Sequence, residues 1–401
     1  MTRTVFTGGS VFDGTGHPPG SGDVVIEDGR VVDVGSGLDG DDQVDCSGRT
    51  ILPGLFDTHV HFMISGIDIW GLLQTPISYR FIQAARNLAA TLDAGITTTR
   101  DAGGADAGLR RAVDDGLIPG PRMQVSIGML SQTGGHGDPW LASGVTAPLL
   151  PAWPGSPETI VDGPDEVRRK VRELIRCGAD VIKVATSGGV LSASDEPTHA
   201  HLSPAELDVL IEEANAAGRF VMAHAQATTG IKNAIRAGVR SIEHGIYLDD
   251  EAIELMVERG TWLVPTLMAP RGVIAAVEQG ARAPESAVRK ATEVIEIHRE
   301  SFGRAVSAGV KVATGTDTGV TPHGDNLIEL GLMEQGGMSP IDVLVATTHS
   351  AAELMGLDRE LGTLQPGKRA DLVMVEGDPL DLKALPSAIA EVWKDGVRVK
   401  G

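Results

Sequence analysis

Cysteine is nearly absent from this sequence, which contains only Cys46 and Cys177 among its 401 residues. Two cysteines so far apart exclude a disulfide framework and favour a reducing compartment. The first residues, MTRTVFTGGSVFDGTG, lack the apolar segment of a secretory signal. The sequence also contains no run of about 18 apolar residues that would span a bilayer. We therefore expect a cytoplasmic protein that has no membrane as its partner.

Basic residues are scarce relative to acidic ones: 34 Lys and Arg stand against 54 Asp and Glu, for a formal net charge of -20. Nucleic acids are bound mainly through basic surfaces, so this composition disfavours them as partners. Hydrophobic residues make up 42% and charged residues 22%, which excludes a disordered chain. We expect instead a folded protein that acts on a small molecule.

The two ends of the chain have the same pattern of short β-strands. VVIEDGRVVDVG (Val24 to Gly35) and EVWKDGVRVKG (Glu391 to Gly401) each contain an Asp-Gly turn between two β-rich runs. Neither end has enough apolar residues for a core of its own. Because chain termini often lie close together, we predict one small β-sandwich domain built from residues 1–53 and 357–401.

Between the two ends, predicted strands alternate with predicted helices. SPAELDVLIEEANAAG (Ser203 to Gly218) begins with a capping box and ends at glycine, and SPIDVLVATTHSAAELMG (Ser339 to Gly356) follows the same pattern. Eight strand–helix units in series predict an α/β fold, a (β/α)8 TIM barrel over residues 54–356, with an open doubly wound sheet as the alternative. The eight predicted strands are Leu55–Phe62, Ile96–Asp101, Met123–Met129, Val181–Thr186, Phe220–Ala225, Ser241–Glu243, Trp262–Leu267 and Val310–Thr316.

Several metal-binding side chains occupy the carboxyl ends of these strands, where such barrels carry their active sites. His59 and His61 end the first strand, and their spacing places both imidazoles on one face, where they can share a metal such as Zn²⁺. His224, His244 and Asp317 end the fifth, sixth and eighth strands. Such convergence of polar groups at one end of a barrel favours a metal-dependent active site.

Lys183, on the fourth strand, lies between apolar neighbours that predict a buried side chain. One interpretation is an ammonium paired with an acid such as Asp317. The other is an amine whose lowered pKa lets it add CO₂, giving a carbamate that bridges two cations. We favour the carbamate, since an ammonium among five metal ligands would repel the metals.

This constellation resembles the amidohydrolase superfamily in its binuclear form with a carboxylated lysine. The resemblance covers nearly the whole chain, from ILPGLFDTHVH at the start of the barrel to GTLQPGKRADLV at the return to the sandwich. Within the superfamily, the sequence is similar to the imidazolonepropionase-related group, which includes Xaa-Pro dipeptidases. The segments that carry this second similarity are SQTGGHGD, TSGGVLSASD and RAGVRSIEHG.

The resemblance implies a role for each residue of the predicted site. His59 and His61 would hold the more buried metal, His224 and His244 the second, and carboxylated Lys183 would bridge two divalent ions, expected to be Zn²⁺. Asp317 would bind the first metal and act as general base. His136, in the loop after the third strand, would polarise the substrate carbonyl or bind a substrate carboxylate. We also expect a homo-oligomer.

The sequence departs from the dipeptidases at Gln226, where they often have a tyrosine two residues after the fifth-strand histidine. Gln226 can donate a hydrogen bond to an oxyanion but lacks the acidity of a phenol. Trp140 stands where a charged residue would suit a carboxylate substrate better, and it can stack on an apolar group instead. Arg100 is the one arginine at a strand end that we expect to face the metals.

Four functions therefore compete. The first is hydrolysis of a dipeptide or N-acyl amino acid with an apolar or proline C-terminal part, by a hydroxide that bridges the metals. The second is hydrolysis of neutral anilides, carbamates, ureas or lactones on the same metal core. A mononuclear deaminase requires a glutamate that HAQAT lacks, and a non-catalytic scaffold would not keep every ligand.

The remaining histidines have weaker signals. His199 and His201 lie in a loop before Ser203 and are interpreted as surface residues or a substrate lid. His298 and His349 lie in predicted helices and are expected to be structural. His323 follows the eighth strand and would face the pocket.

Overall fold

The computed structural model describes residues 2–141, 143–192 and 195–401, which contain sixteen strands and thirteen helices. The strands are β1 (Thr4–Val11), β2 (Gly20–Glu27), β3 (Arg30–Gly35), β4 (Asp42–Asp45), β5 (Arg49–Pro53), β6 (Leu55–Val60), β7 (Ile96–Asp101), β8 (Arg122–Val125), β9 (Met129–Leu130), β10 (Val181–Ala185), β11 (Phe220–Ala225), β12 (Ser241–His244), β13 (Trp262–Val264), β14 (Leu372–Glu376), β15 (Ile389–Lys394) and β16 (Val397–Lys400).

The helices lie mainly between the strands of the central region. They are α1 (Ile69–Gln74), α2 (Ile77–Asp93), α3 (Ala107–Asp114), α4 (Pro164–Arg176), α5 (Pro204–Ala216), α6 (Thr228–Ala237), α7 (Asp250–Arg259), α8 (Met268–Glu278), α9 (Glu285–Ser307), α10 (Ile328–Gln335), α11 (Pro340–Ala346), α12 (His349–Met355) and α13 (Leu385–Ala388). Among these described helices, none combines the length and the apolar character that crossing a bilayer would require.

The two ends of the chain share one sheet. Its order is β16-β15-β14-β5-β1-β2-β3, and β4 pairs with β1 beside this path. The join between the ends is the antiparallel pair of β5 and β14, in which Ile51 lies opposite Met374. Phe6 packs edge-on against Trp393 at 5.0 Å between ring centroids, so apolar side chains from both termini fill one core.

The central strands are parallel, in two ladders: β6-β7-β8 and β9-β10-β11-β12-β13. Almost every residue of β6, β7, β10, β11 and β12 is buried. Burial on both faces is expected of parallel strands that helices cover. This explains why β10 and β11 are apolar runs interrupted only by Lys183 and His224.

Extended chain at 311–317, without a regular ladder of its own, lies between β13 and β6. The Leu263 N–H donates to the Lys311 carbonyl at 2.8 Å, and the Thr58 N–H donates to the Thr314 carbonyl at 2.9 Å. The eighth predicted strand is therefore present as a connecting segment that bonds to both ladders. It carries Asp317 to the end of β6.

The third predicted strand is interrupted rather than continuous. It consists of β8 and β9, separated by a bend at Ile127, whose φ of 71° lies in the left-handed region. The bend lets β8 pair with β7 while β9 pairs with β10. The Asp180 N–H also donates to the Val125 carbonyl at 2.8 Å, which links the two ladders at the start of β10.

Helix α5 has the predicted capping box: the side chain of Ser203 accepts from the N–H of Glu206, and the glutamate reaches back to the serine N–H. The single helix predicted from Ser339 to Gly356 is wrong, because the structure has two helices with a break at residues 347–348. Both threonine hydroxyls there bond to backbone carbonyls, Thr347 to that of Phe56 at 2.9 Å, which draws the chain away from helical geometry.

Candidate metal centre and active site

The structure brings the predicted metal ligands together in one cluster at the carboxyl ends of the parallel strands. The cluster consists of His59 in β6, His61 just after it, Lys183 in β10, His224 in β11, His244 at the end of β12 and Asp317 in the connecting segment. Because parallel strands end at the same edge, residues far apart in sequence meet there. His136, from the loop after β9, joins them.

Short distances connect the first half of the cluster. The Asp317 Oδ1 atom lies 3.1 Å from His61 Nε2 and 3.6 Å from His59 Nε2. The Lys183 Nζ atom lies 3.4 Å from His59 Nε2. His59, His244 and Asp317 each offer one ligand atom, and these three atoms lie within 4.8 Å of one another. This donor set of imidazoles and a carboxylate suits Zn²⁺.

Ring contacts connect the second half. The ring centroids of His224 and His244 are 4.6 Å apart, and those of His59 and His244 are 5.2 Å apart. The ring of His136 stacks on that of His224, with centroids 4.1 Å apart and planes inclined by 15°. His136 is therefore in direct contact with a predicted metal ligand, which places it within reach of a bound substrate.

A buried ion pair orients His59. Its Nδ1 atom donates to Oε2 of Glu243 at 2.7 Å, which leaves Nε2 directed at the cluster. The other oxygen of Glu243 accepts from Nη2 of Arg100 at 3.0 Å. Glu243 is fully buried and Arg100 is 2% exposed. A histidine that binds a metal through one nitrogen commonly donates the other to a carboxylate, so this geometry fits a metal ligand.

The other histidines follow the same rule. The Nδ1 of His61 bonds to the Gly103 carbonyl at 2.8 Å, and the Nδ1 of His244 bonds to the Thr266 hydroxyl at 2.7 Å. In both residues Nε2 is left for the centre. His224 instead uses Nε2, which bonds to a backbone carbonyl at 3.1 Å, so its Nδ1 is the free nitrogen. Each of the four residues thus retains one nitrogen for a metal.

Burial favours the neutral form of three of the four histidines; for His61 burial also lowers the pKa, but the hydrogen bond to Asp317 and the charge of that carboxylate outweigh it and raise the pKa. Burial lowers the pKa of His59 to about 4, with the positive charge of Lys183 acting in the same direction. It lowers the pKa values of His224 and His244 well below their usual range. Neutral imidazole is the form that binds metal, so desolvation prepares these rings as ligands.

Burial determines the direction of the pKa shift of Lys183 but not that of Asp317. Burial lowers the pKa of Lys183 to about 8, although the negative charges of Glu243 and Asp317 oppose the shift. For Asp317, burial acts to raise the pKa, but the hydrogen bond to His61 and the charges of the histidines outweigh it and hold the carboxyl ionised. The cluster therefore contains an anion and an amine that deprotonates readily.

Backbone strain is concentrated at this place. His244, Thr266 and Asp317 have φ angles of 72°, 53° and 60°, in the left-handed region that non-glycine residues rarely adopt. Each such residue costs on the order of 1–3 kcal/mol and persists where the surroundings fix it, commonly at active sites. The imidazole of His298, on α9, donates to the carbonyl of His244 at 2.8 Å and supports one of these conformations.

The predicted substrate contacts differ in exposure. Gln226 is 5% exposed, and its Oε1 has no hydrogen-bond partner among the described residues. Trp140 lies on the loop after β9, where it pairs with Thr146, and 51% of its surface is exposed. Gln226 is thus buried with an acceptor oxygen that no described residue uses, while Trp140 is half exposed.

Three interpretations of single residues are wrong. Arg100 does not face the centre, because Glu243 neutralises it within the protein interior. His201 is not a surface residue: it is 5% exposed, whereas His199 beside it is exposed. His323 turns away from the pocket, stacking on Phe62 and bonding to the carbonyl of Ile64.

Sequence reasoning missed Glu243 entirely. The signal available was its position directly before His244 in SIEHG, where an acidic residue interrupts a buried strand. A carboxylate that must be buried needs a cationic or hydrogen-bonding partner, and only the fold identifies that partner as Arg100 and His59.

Known proteins resemble this chain over its full length. Ochratoxinase from Aspergillus niger is 37% identical over 99% of this chain and 87% of its own length. Imidazolonepropionase from Rhizorhabdus wittichii is 28% identical over 88% of this chain and 87% of its own length. The crystal structure of an Xaa-Pro dipeptidase with bound methionine in the active site superposes with a TM-score of 0.91, at 33% identity, and covers 100% of both chains.

These similarities agree with the resemblance found in the sequence. The α/β fold matches the solved dipeptidase throughout, so the terminal sheet and the parallel strands belong to one known architecture. The amidohydrolase family matches residues 50–401, which include every ligand of the cluster. The chain is therefore a member of the amidohydrolase family.

Proposed function

We propose that this protein hydrolyses an amide-type C–N bond in dipeptides or N-acyl amino acids whose C-terminal part is apolar or proline, at a binuclear metal centre. Its family already makes it a metal-dependent hydrolase of C–N bonds. The observation that carries the proposal is the cluster itself: four histidines, each with one ring nitrogen not used by the group that orients it, an ionised Asp317 and a buried Lys183 at one edge of the parallel strands.

The metal-binding roles are those that the family resemblance implies. His59 and His61 would hold one divalent ion, His224 and His244 a second, with Zn²⁺ expected at both positions. Asp317 would contribute to the first. When bound, the two ions would lower the pKa of a water molecule and polarise the scissile carbonyl.

A carbamate on Lys183 would bridge the two ions. Three observations support it: the side chain is 1% exposed, its Nζ lies 3.4 Å from His59 Nε2, and burial lowers its pKa to about 8. The neutral amine adds CO₂ and releases one proton to solvent, which gives a carbamate anion with two oxygens in place of an ammonium cation. This change of charge suits a position among metal ligands.

The chain's own side chains would move the proton and hold the substrate. The carboxylate of Asp317, ionised in the folded protein, would take a proton from the attacking water and pass it to the leaving nitrogen. His136 would polarise the carbonyl or bind a carboxylate, and the NH₂ group of Gln226 would donate to the oxyanion. The exposed ring of Trp140 would cover an apolar group.

We also propose how the fold is divided. The pairing of segment 311–317 with both β13 and β6 supports a closed (β/α)8 barrel over residues 54–356. The terminal sheet would be the second domain, from residues 1–53 and 357–401. A homo-oligomer stays an expectation from the family.

The dipeptide class is preferred because the dipeptidase and ochratoxinase resemble this chain over nearly their whole length. Neutral anilides, carbamates, ureas or lactones are the second candidates. Two observations favour them: Gln226 replaces the tyrosine typical of dipeptidases, and Arg100 is committed to Glu243 and thus not available for a substrate carboxylate.

Comparing N-acetyl-proline with its carboxamide tests the choice. If the site binds a carboxylate, the free acid has the higher kcat/KM, and His136→Ala erases the difference. The same panel includes Xaa-Pro dipeptides, ochratoxin and a phenylurea. Equal rates for the acid and the amide, or a preference for the phenylurea, would reject the dipeptide class in favour of the neutral substrates.

A further inference from the structure

A ribbon of chain forms one wall beside the cluster. We call it the site ribbon, and it comprises residues 186–192 and 195–201. Its two arms are antiparallel: the N–H of Gly188 donates to the carbonyl of His199, and the N–H of His201 donates to that of Thr186, both at 2.9 Å. The first arm continues directly from β10, the strand that carries Lys183.

The site ribbon holds the ring of His136. Nδ1 of His136 lies 3.1 Å from the hydroxyl oxygen of Ser192. That hydroxyl has one proton, for which the Asp195 carboxylate and the Gly189 carbonyl compete, so its oxygen accepts from the imidazole. Ser192 therefore fixes Nδ1 and leaves Nε2 for the substrate. His224 covers one face of the same ring.

The site ribbon approaches the imidazole of His136 most closely at Gly189. A β-carbon added at this position would lie 2.2 Å from Cε1 and 2.5 Å from Nδ1 of His136. No larger residue fits unless the histidine moves. The position of the ring thus depends on the backbone path of the ribbon at Gly189 and Ser192.

Lys290 of α9 determines that path. Its ammonium is 1% exposed and donates to the carbonyls of Ser192 at 2.8 Å, of Gly189 at 3.3 Å and of Asp195. All three ammonium protons are thereby used on one short stretch of backbone. Among the described residues, the Lys290 ammonium donates to these backbone carbonyls and to no side chain of the cluster. It thereby fixes the relative positions of the residues that contact His136.

We propose that Lys290 is a positioning residue for His136, acting through the site ribbon. The inference rests on the proposed function in one respect, the assignment of His136 to substrate binding or carbonyl polarisation. Lys290 touches neither the cluster nor the substrate. It fixes the carbonyls of Gly189, Ser192 and Asp195, and these residues fix the orientation of the imidazole.

The test is a double-mutant cycle between Lys290→Met and His136→Ala, measured with the best substrate of the panel. Methionine keeps much of the side-chain length and removes the charge. Misplacement of a catalytic group by about 1 Å can cost about 10²-fold. We therefore expect Lys290→Met to lower kcat by about 10- to 100-fold with metal content unchanged. In the His136→Ala background the same substitution should have less than about a threefold effect.

Two further variants keep the test decisive. Lys394→Met is the matched control, because Lys394 also donates to a backbone carbonyl, that of Gly120, but lies in the terminal sheet. It should leave kcat unchanged. Ser192→Ala removes the hydroxyl while leaving Lys290 in place, and should lower kcat as Lys290→Met does. If Lys290→Met does not fold, wild-type kcat in Ser192→Ala overturns the proposal.

A readout without substrate separates this proposal from the proposed function. In ¹⁵N-histidine-labelled protein, the imidazole signal of His136, identified by its loss in His136→Ala, should move in Lys290→Met and not in Lys394→Met. An unmoved signal, or additive effects in the cycle, overturns the role of Lys290. Full activity of His136→Ala would instead refute the role assigned to His136, with the NMR result unaffected.

Discussion

Replacing Glu243 by glutamine should weaken both the fold and the metal centre. Its carboxylate accepts from Arg100 at 3.0 Å and from Nδ1 of His59 at 2.7 Å, and it is fully buried. Glutamine has one acceptor oxygen in place of two and an N–H₂ group where the second oxygen was. Its single oxygen can therefore accept from Arg100 or from the Nδ1–H of His59, but not from both. If the oxygen accepts from Arg100, the NH₂ group favours the tautomer of His59 that carries its proton on Nε2, the nitrogen directed at the cluster.

The two losses have different magnitudes. Removing one partner of a buried ion pair costs about 3–5 kcal/mol, because the guanidinium of Arg100 is left without a counter-charge. Loss of the carboxylate that orients a metal-bound histidine typically lowers metal affinity by about 10- to 100-fold. That range corresponds to about 1.4–2.7 kcal/mol, at about 1.4 kcal/mol for each factor of ten. Stability should thus fall more than metal binding.

Denaturant unfolding of the metal-free protein measures the first loss, and a Zn²⁺ titration against a chelator of known affinity measures the second. The double variant Arg100→Met/Glu243→Gln separates them. Without the stranded cation, most of the stability should return, whereas Zn²⁺ affinity should stay low. Glu391→Gln, which breaks the pair with Arg49 in the terminal sheet, serves as the control and should leave affinity unchanged.

The reasoning would be refuted by a Glu243→Gln protein that unfolds within about 1 kcal/mol of the wild type and binds Zn²⁺ with the same affinity, because breaking a buried pair should cost about 3–5 kcal/mol. A double variant as unstable as Glu243→Gln alone would also contradict it. In that case the stranded charge of Arg100 would not be the cause of the instability.

Two further predictions concern the reaction itself. Protein prepared without chelator should contain two divalent ions per chain. Lys183→Ala should lose the bridged ion and most activity, and acetate should restore part of both. ¹³C-bicarbonate should label a carbamate in the wild type only, and an active protein with an unmodified Lys183 amine would disprove the carbamate. Asp317→Asn should lower kcat by about 10²- to 10⁴-fold while at least one metal is retained, since an amide cannot take the proton; turnover within a few-fold of wild type would remove Asp317 from the mechanism.

The ligands of the cluster could be found in the sequence because each depends on local pattern. His59 and His61 lie two residues apart on a strand, which alone places them on one face. His224 and His244 each stand at or next to the end of a predicted strand that is too short for a helix. Strand period and strand order were sufficient to predict that these side chains share one edge, and the structure brings them together there.

The site ribbon and the buried pair depend on tertiary structure. Nothing near Lys290 in sequence indicates that its ammonium meets the carbonyl of Ser192, about a hundred residues earlier in the chain. His201 has a polar neighbourhood typical of a surface loop, yet it is 5% exposed in the fold. The contacts of Lys290 are long-range, and they form only when helix α9 packs against the site ribbon.

The sequence by itself determined the alternation of strands and helices and the set of candidate metal ligands at the strand ends, because periodicity and spacing are local properties. The tertiary structure decided where a strand bends and which buried charges meet. The bend at Ile127 exists because β8 and β9 must reach different neighbours. Glu243 is ionised beside His59 because Arg100, from another strand, compensates for the loss of water around its carboxylate.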